Sequence, residues 1–303
     1  MANLETRPRL CPICGTNAHA GVAYPERFDA TAVGDFAFAS RKLPEYMHWQ
    51  LRRCRACDLL FADPAPTPAE LGRLYREAAF DSGREAGLAA RTYGRYLRPI
   101  SAALAHRAGA LDIGTGDGEF LRELLACGFT DVRGVEPSTA PIAAAAADVR
   151  PLIRQGLFEP GGYAADSLSL VSCFQTIEHL SDPLALTREM HRILRPGGAA
   201  FLIGHDRTAP SARLMGERSP IFDIEHLQLF SPRSLTALLR AAGFQRVRIR
   251  PIVNRYPLAY WLRLFPAPAA LKAALLDRLG RNRLGKIVLP LPAGNLAAVG
   301  WKA

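Results

Sequence analysis

From residue 108 onward, short apolar runs alternate with stretches whose apolar residues recur every three to four positions. That alternation marks strand–helix units wound around a parallel sheet. Apolar runs at 110–113, 132–136, 168–174, 199–204, 245–251 and 295–301 are the predicted strands. The clearest helices open after Gly118, at Pro183 and at Ser231; the second runs into Pro196-Gly197-Gly198 and the third into Gly243. Serine or proline at a helix start and glycine just past its end satisfy or spare the backbone groups left unpaired there. The pattern therefore predicts an α/β domain over 108–303, with a segment at 256–291 inserted between its last two strands and carrying aromatic and basic residues on helix-like spacing.

Upstream the alternation is missing. Residues 1–62 hold two CxxC pairs, Cys11/Cys14 and Cys54/Cys57, separated by 39 residues. Residues 63–107 begin with a proline-rich linker, after which Thr67 or Pro68 can open a helix through Leu71, Leu74 and Tyr75. The length of 303 residues suits one α/β domain of about 200 residues plus a smaller appendage. No uncharged apolar stretch of about 18 residues occurs, and the N-terminus lacks the apolar centre of a signal peptide, so a cytoplasmic address is expected. In that reducing compartment CxxC pairs point to metal binding more than to disulfides. Cys127 and Cys173 fall in a helix and a strand and are expected to be buried apolar residues.

The strongest local signal is the run Leu111-Asp112-Ile113-Gly114-Thr115-Gly116-Asp117-Gly118, a buried strand entering a glycine turn and then a helix. Glycine lets the backbone turn tightly and approach a ligand. Glu136 ends the next strand 18 residues after Gly118, with Pro137 behind it, where an acid can accept hydrogen bonds from two ribose hydroxyls. The loop is GxGxG rather than the GxGxxG of dinucleotide sites, and it lacks the Lys-Ser/Thr of a P-loop. An adenosine-containing cofactor other than NAD or ATP is expected.

These residues resemble the class I S-adenosylmethionine (SAM)-dependent methyltransferase family: the run from Leu111 to Phe120 is similar to its first motif and Gly134-Val135-Glu136-Pro137-Ser138 to its second. Ile177-Glu178-His179-Leu180 with Asp182-Pro183, Leu194-Arg195-Pro196-Gly197-Gly198, and Glu225-His226-Leu227 extend the likeness in the right order over about two hundred residues. The resemblance implies a Rossmann-like seven-stranded sheet with helices on both faces and the last strand antiparallel. It also implies that Asp112, Gly114, Thr115, Gly116 and Gly118 flank the methionine part of SAM, that Glu136 holds the ribose, and that Phe174 and Gln175 line the site. One departure is Ser169, which stands where the family often carries an acid early in the fourth strand.

Methyl transfer to oxygen or nitrogen requires positioning and removal of a proton, for which histidine is suited near neutral pH. His179 follows the fourth strand at the carboxyl edge of the sheet, where ligands bind, and is the first candidate base. Glu178, His205 and His226 are candidate substrate contacts, each with a structural reading beside it. No HxxxH or paired-carboxylate spacing predicts a metal in the active site.

Four thiolates from Cys11, Cys14, Cys54 and Cys57 suit a closed tetrahedral zinc site of the structural kind. The resemblance here is to bacterial methyltransferases with an N-terminal zinc-ribbon-like module, including sugar methyltransferases. The intervening stretch with Tyr46, His48 and Trp49 is expected to form an exposed insert able to touch substrate. The net charge of +10 comes from the C-terminal part, where residues 246–303 hold eleven Lys/Arg against Asp277. Such a surface suits an anionic partner, or is a solvated basic face. The leading expectation is a small-molecule or glycan-type acceptor, anionic or carried on a nucleotide or lipid phosphate, with peripheral membrane contact through 256–265. The alternatives are an RNA methyltransferase, for which no aromatic-basic motif is seen, and a SAM-binding regulator without catalysis.

Overall fold

The computed structural model describes residues 4–28, 46–77, 83–265 and 267–303. The middle of the expected insert and part of the connecting region lie outside them. Besides a two-residue pairing of Thr6–Arg7 with Ala65–Pro66, three short strands precede the first helix: β1 (Ala20–Tyr24), β2 (Leu51–Cys54) and β3 (Leu60–Ala62). Two helices follow, α1 (Pro68–Glu77), opening where the sequence predicts, and α2 (Gly83–Ala103). The chain then alternates as β4 (Ala108–Ile113), α3 (Glu119–Ala126), β5 (Thr130–Glu136), β6 (Ile153–Gln155), β7 (Leu168–Phe174), α4 (Pro183–Ile193) and β8 (Leu194–His205). It closes with β9 (Gln228–Leu229), α5 (Pro232–Ala241), β10 (Arg246–Pro257), α6 (Leu258–Leu264), α7 (Ala269–Gly280) and β11 (Val288–Trp301).

Seven strands form one sheet in the order β6-β5-β4-β7-β8-β11-β10. The strands from β6 to β8 pair in parallel, and β11 lies antiparallel between β8 and β10, as expected for the last strand. Successive strand residues enter opposite cores: Leu111, Val171 and Leu202 face one layer with Met190 and Leu238, whereas Ala110, Leu170 and Phe201 face another with Leu97 and Leu121. Both faces of the sheet are thus covered by helices, which is why its strands read as continuous apolar runs. Asp182 caps α4 by accepting from the Ala185 amide at 2.8 Å, and Ser231 and Ser234 form a reciprocal capping box on α5. Ser169 is satisfied without an acid's chemistry, its hydroxyl donating to the Ala108 carbonyl at 2.8 Å.

Two features go beyond the predicted elements. The pairing of β10 with β11 continues past the predicted strand ends, from Asn254↔Leu291 to Pro257↔Val288, and this arm carries α6 and α7. A second, four-stranded sheet runs β9-β3-β2-β1, so the cysteine-bearing strands are completed by Gln228 and Leu229 from far downstream. A third apolar cluster joins Met47, Trp49 and Leu60 of the N-terminal part to Ile221, Phe222 and Ile224. His48 and Trp49 are accordingly 1% and 3% exposed, and the expectation that they stand free on an insert is corrected. Among the described residues no helix is long and apolar enough to cross a membrane.

Candidate active site

At the end of β4 the chain turns through Gly114, Gly116 and Gly118 with φ of 73°, 60° and 78°, a region that side chains disfavour. The turn is pinned by Glu136 at the end of β5: one carboxylate oxygen accepts from the Gly116 amide and the other from the Ser138 amide, both at 2.9 Å. Burial raises the Glu136 pKa. Beneath the loop, Asp112 accepts from the Ser172 hydroxyl at 2.6 Å, and burial pushes its carboxyl up to about 7. A Cβ at Gly114 would collide with the Thr176 hydroxyl, and one at Gly118 would come within 3.0 Å of Ile153. At Gly116 a Cβ would meet nothing within 4 Å, because that side of the loop faces a cavity.

The cavity measures about 1120 Å³. Gly114, Thr115, Gly116, Glu136, Pro137, Phe174 and Gln175 line one end of it, whereas Asp112 and Gly118 support the loop from behind. Gln175 sits at φ 48°, held by its amide donating to the Ile203 carbonyl at 2.7 Å. Its buried side-chain oxygen has no hydrogen-bond partner among the described residues. An open glycine face, a carboxylate and an unpaired amide oxygen at one pocket end fit a polar ligand such as SAM. Gly116→Arg is expected to abolish SAM binding in a calorimetric titration, since the new side chain must enter the cavity; unchanged affinity would mean that SAM does not lie against this loop.

His179, His205, Glu225 and His226 also line the cavity. His179 Nδ1 is 3.8 Å from one Glu225 oxygen, and His226 Nε2 is 3.9 Å from the other. The His226 ring packs 5.0 Å from the rings of both His179 and His205. His226 Nδ1 lies 2.8 Å from the Ile221 carbonyl, which can only accept, so that nitrogen carries a proton and, in the neutral ring, Nε2 carries the lone pair. Burial lowers the His205 pKa to about 4, and its Nδ1 contacts the Asn295 side chain at 2.9 Å. Glu178 is not brought to the cavity: it is fully buried behind the strand end, accepts from the His205 amide at 2.6 Å, and is pushed up to about 7 by burial. Sequence reasoning missed the aromatic wall of Tyr75, Tyr93, Tyr256, Tyr260 and Trp261, and also Asp223. The sequence puts Tyr75 on a helix, but nothing in its local pattern says that the helix faces the cavity.

The four thiols of Cys11, Cys14, Cys54 and Cys57 lie within 4.8 Å of one another and can hold one metal ion. Four sulfur donors select zinc with closed, structural coordination. Of the other two cysteines, Cys173 is fully buried and Cys127 half-buried at the end of α3. Two side chains tie the metal-binding part to the histidine loop. Arg9 donates to the Ser181 carbonyl at 2.6 Å, the Leu227 carbonyl at 3.2 Å and the Gln228 side chain at 2.7 Å. Burial lowers its pKa to about 10, which still leaves it charged at neutral pH. Asp58, next to Cys57, accepts from the Ser231 hydroxyl at 2.6 Å and pairs with Arg53 and Arg207.

A seven-stranded sheet with a glycine loop and a ribose-height acid facing one large cavity is the architecture of a SAM-dependent methyltransferase. Residues 85–249 match the family described as a methyltransferase domain, and the chain belongs to that family. It is 30% identical over 173 residues to the ubiquinone biosynthesis O-methyltransferase of Pseudomonas aeruginosa, covering 49% of this chain and 72% of that one. Its counterpart from Ralstonia nicotianae is 25% identical, covering 50% and 70%. Similar solved structures include the YcgJ protein of Bacillus subtilis, with 19% identity, TM-score 0.49 and coverage of 69% of this chain and 97% of that one. Another is a SAM-dependent methyltransferase from Archaeoglobus fulgidus, with 16% identity, TM-score 0.48 and coverage of 70% and 94%.

Proposed function

We propose that this methyltransferase acts on a hydroxyl of a small-molecule or glycan-type acceptor held between the histidine group and the aromatic wall. The observation that carries this reading is the grouping of His179, Glu225 and His226 in the cavity that the glycine loop also lines. SAM supplies the methyl group as an electrophile on a sulfonium centre. The chain's own part is to orient the acceptor oxygen and take its proton as the oxygen–methyl bond forms. Glu225, between the two imidazoles, stabilises whichever of His179 and His226 becomes the cation. The naming of its relatives as O-methyltransferases of ubiquinone biosynthesis supports an oxygen nucleophile on a small molecule.

No Lys or Arg is among the described residues that line the cavity. On this reading the cavity takes the part of the acceptor that is methylated, and an anionic portion, such as a phosphate carrier, stays outside it. A second reading has its own observation: the His179, Glu225 and His226 ligand atoms lie within 4.8 Å of one another, close enough to hold a divalent cation that would polarise the acceptor. The test is to incubate zinc-loaded protein with methyl-labelled SAM and a cell extract separated into small molecules, lipids, RNA and protein. Label among small molecules or lipids supports the proposal and label in RNA overturns it; dependence on added magnesium or manganese selects the cation reading.

A further inference from the structure

We propose that the face built by α6, α7, the turn at Arg283–Lys286 and the start of β11 rests on an anionic lipid bilayer, with the cavity mouth opening beside it. Helices α6 and α7 form one folded piece with the arm: the Leu258 amide donates to the Ile287 carbonyl, the Trp261 indole to the Leu289 carbonyl, and Lys272 to the Arg263 carbonyl. Yet this piece leaves Phe265, Leu271, Leu275, Leu284, Ile287 and Val288 exposed, with Phe265 at 60% and Leu284 at 55%. Leaving that much apolar surface in one segment in water is unfavourable, and it marks a surface that something covers.

Charge says what covers it. Arg263, Lys272, Arg278, Arg281, Arg283 and Lys286 lie on the same segment against the single acid Asp277. Apolar side chains among cations are what an interface with acidic headgroups and acyl chains requires. A second copy of the chain is disfavoured as the occupant, because a two-fold contact would set this cationic face against itself. Continuity with the site supplies the reason for docking. Phe265 and Leu291 are exposed on this face and also line the cavity, next to Trp261 and Leu264. The contact surface thus reaches beyond the stretch 256–265: its Tyr256, Tyr260 and Trp261 line the cavity, whereas Arg263 and Phe265 join the docking face with the residues that follow. An acceptor carried in the bilayer would present its headgroup at the mouth, although docking does not depend on which acceptor is methylated.

The test is flotation of the full, zinc-loaded chain with vesicles of phosphatidylcholine alone or phosphatidylcholine with phosphatidylglycerol, at low and high salt. Binding is expected to be at least about tenfold tighter to the phosphatidylglycerol vesicles and to weaken with salt. The double variants Leu284→Asp/Ile287→Asp and Arg283→Glu/Lys286→Glu should each lose at least about tenfold while SAM affinity is unchanged, which shows that they fold. Failure to bind phosphatidylglycerol vesicles, or equal binding by the wild type and both variants, overturns the proposal. So does a concentration-dependent dimer that the Leu284→Asp/Ile287→Asp variant abolishes, which would assign the face to a second copy.

Discussion

Alanine at His226 is expected to lower kcat for methyl transfer by about 10²–10⁴-fold with SAM affinity unchanged. The Ile221 carbonyl fixes which ring nitrogen holds the proton, so Nε2 is left as a lone pair on the Glu225 side of the cavity. Alanine removes both the lone pair and the ring that packs between His179 and His205. His226→Gln keeps most of the volume and separates these losses: a fall of similar size in both variants assigns the effect to proton removal. His179→Ala completes the series. If the alanine change at His179 is the more damaging one, the proton goes first to that ring; if neither change moves kcat, this group does not act as the base.

Removal of the metal, by chelation or by Cys54→Ser, is expected to be the most destabilising change in the molecule. A structural zinc site adds part of its binding free energy to folding, because its ligands come together only in the folded state. The consequence reaches beyond the thiols. Cys54 ends β2, whose neighbour β3 pairs with Gln228 and Leu229, two and three residues after His226. Arg9, two residues before Cys11, holds the carbonyls of Ser181 and Leu227 on either side of the histidine group. Loss of the metal should therefore raise the acceptor's KM and lower the melting temperature, while the glycine loop, built wholly on β4 and β5, keeps its SAM affinity below the new midpoint. An unchanged acceptor KM in metal-free protein that remains folded would reduce the cysteine part to a passive cap.

The cofactor end of the cavity was legible because its determinants are local. Glycines at every second position, an acid 18 residues on and a continuous apolar run such as Leu168–Phe174 are each readable within a short window. The short edge strand β6, Ile-Arg-Gln, carries no apolar run and gave no signal. Glu178 looked like its neighbour His179, yet the two point to opposite sides of one 3₁₀ turn, one into the core and one into the cavity. His48 and Trp49 looked exposed because their buried partners, Phe222 and the Ile224 carbonyl, lie some 175 residues away in sequence. The aromatic wall was hidden for the same reason: it is assembled from α1, α2, the end of β10 and α6, which no local periodicity links.

The sharing of β9 with the N-terminal strands also bears on how the chain comes off the ribosome. Leu60 and Phe61 wait for partners about 170 residues downstream, so at about 5–20 residues per second their sheet stays one strand short for on the order of ten seconds. During that interval the edge of β3 is open to mispairing, and zinc captured early by the four thiols would hold the nascent strands until the rest arrives.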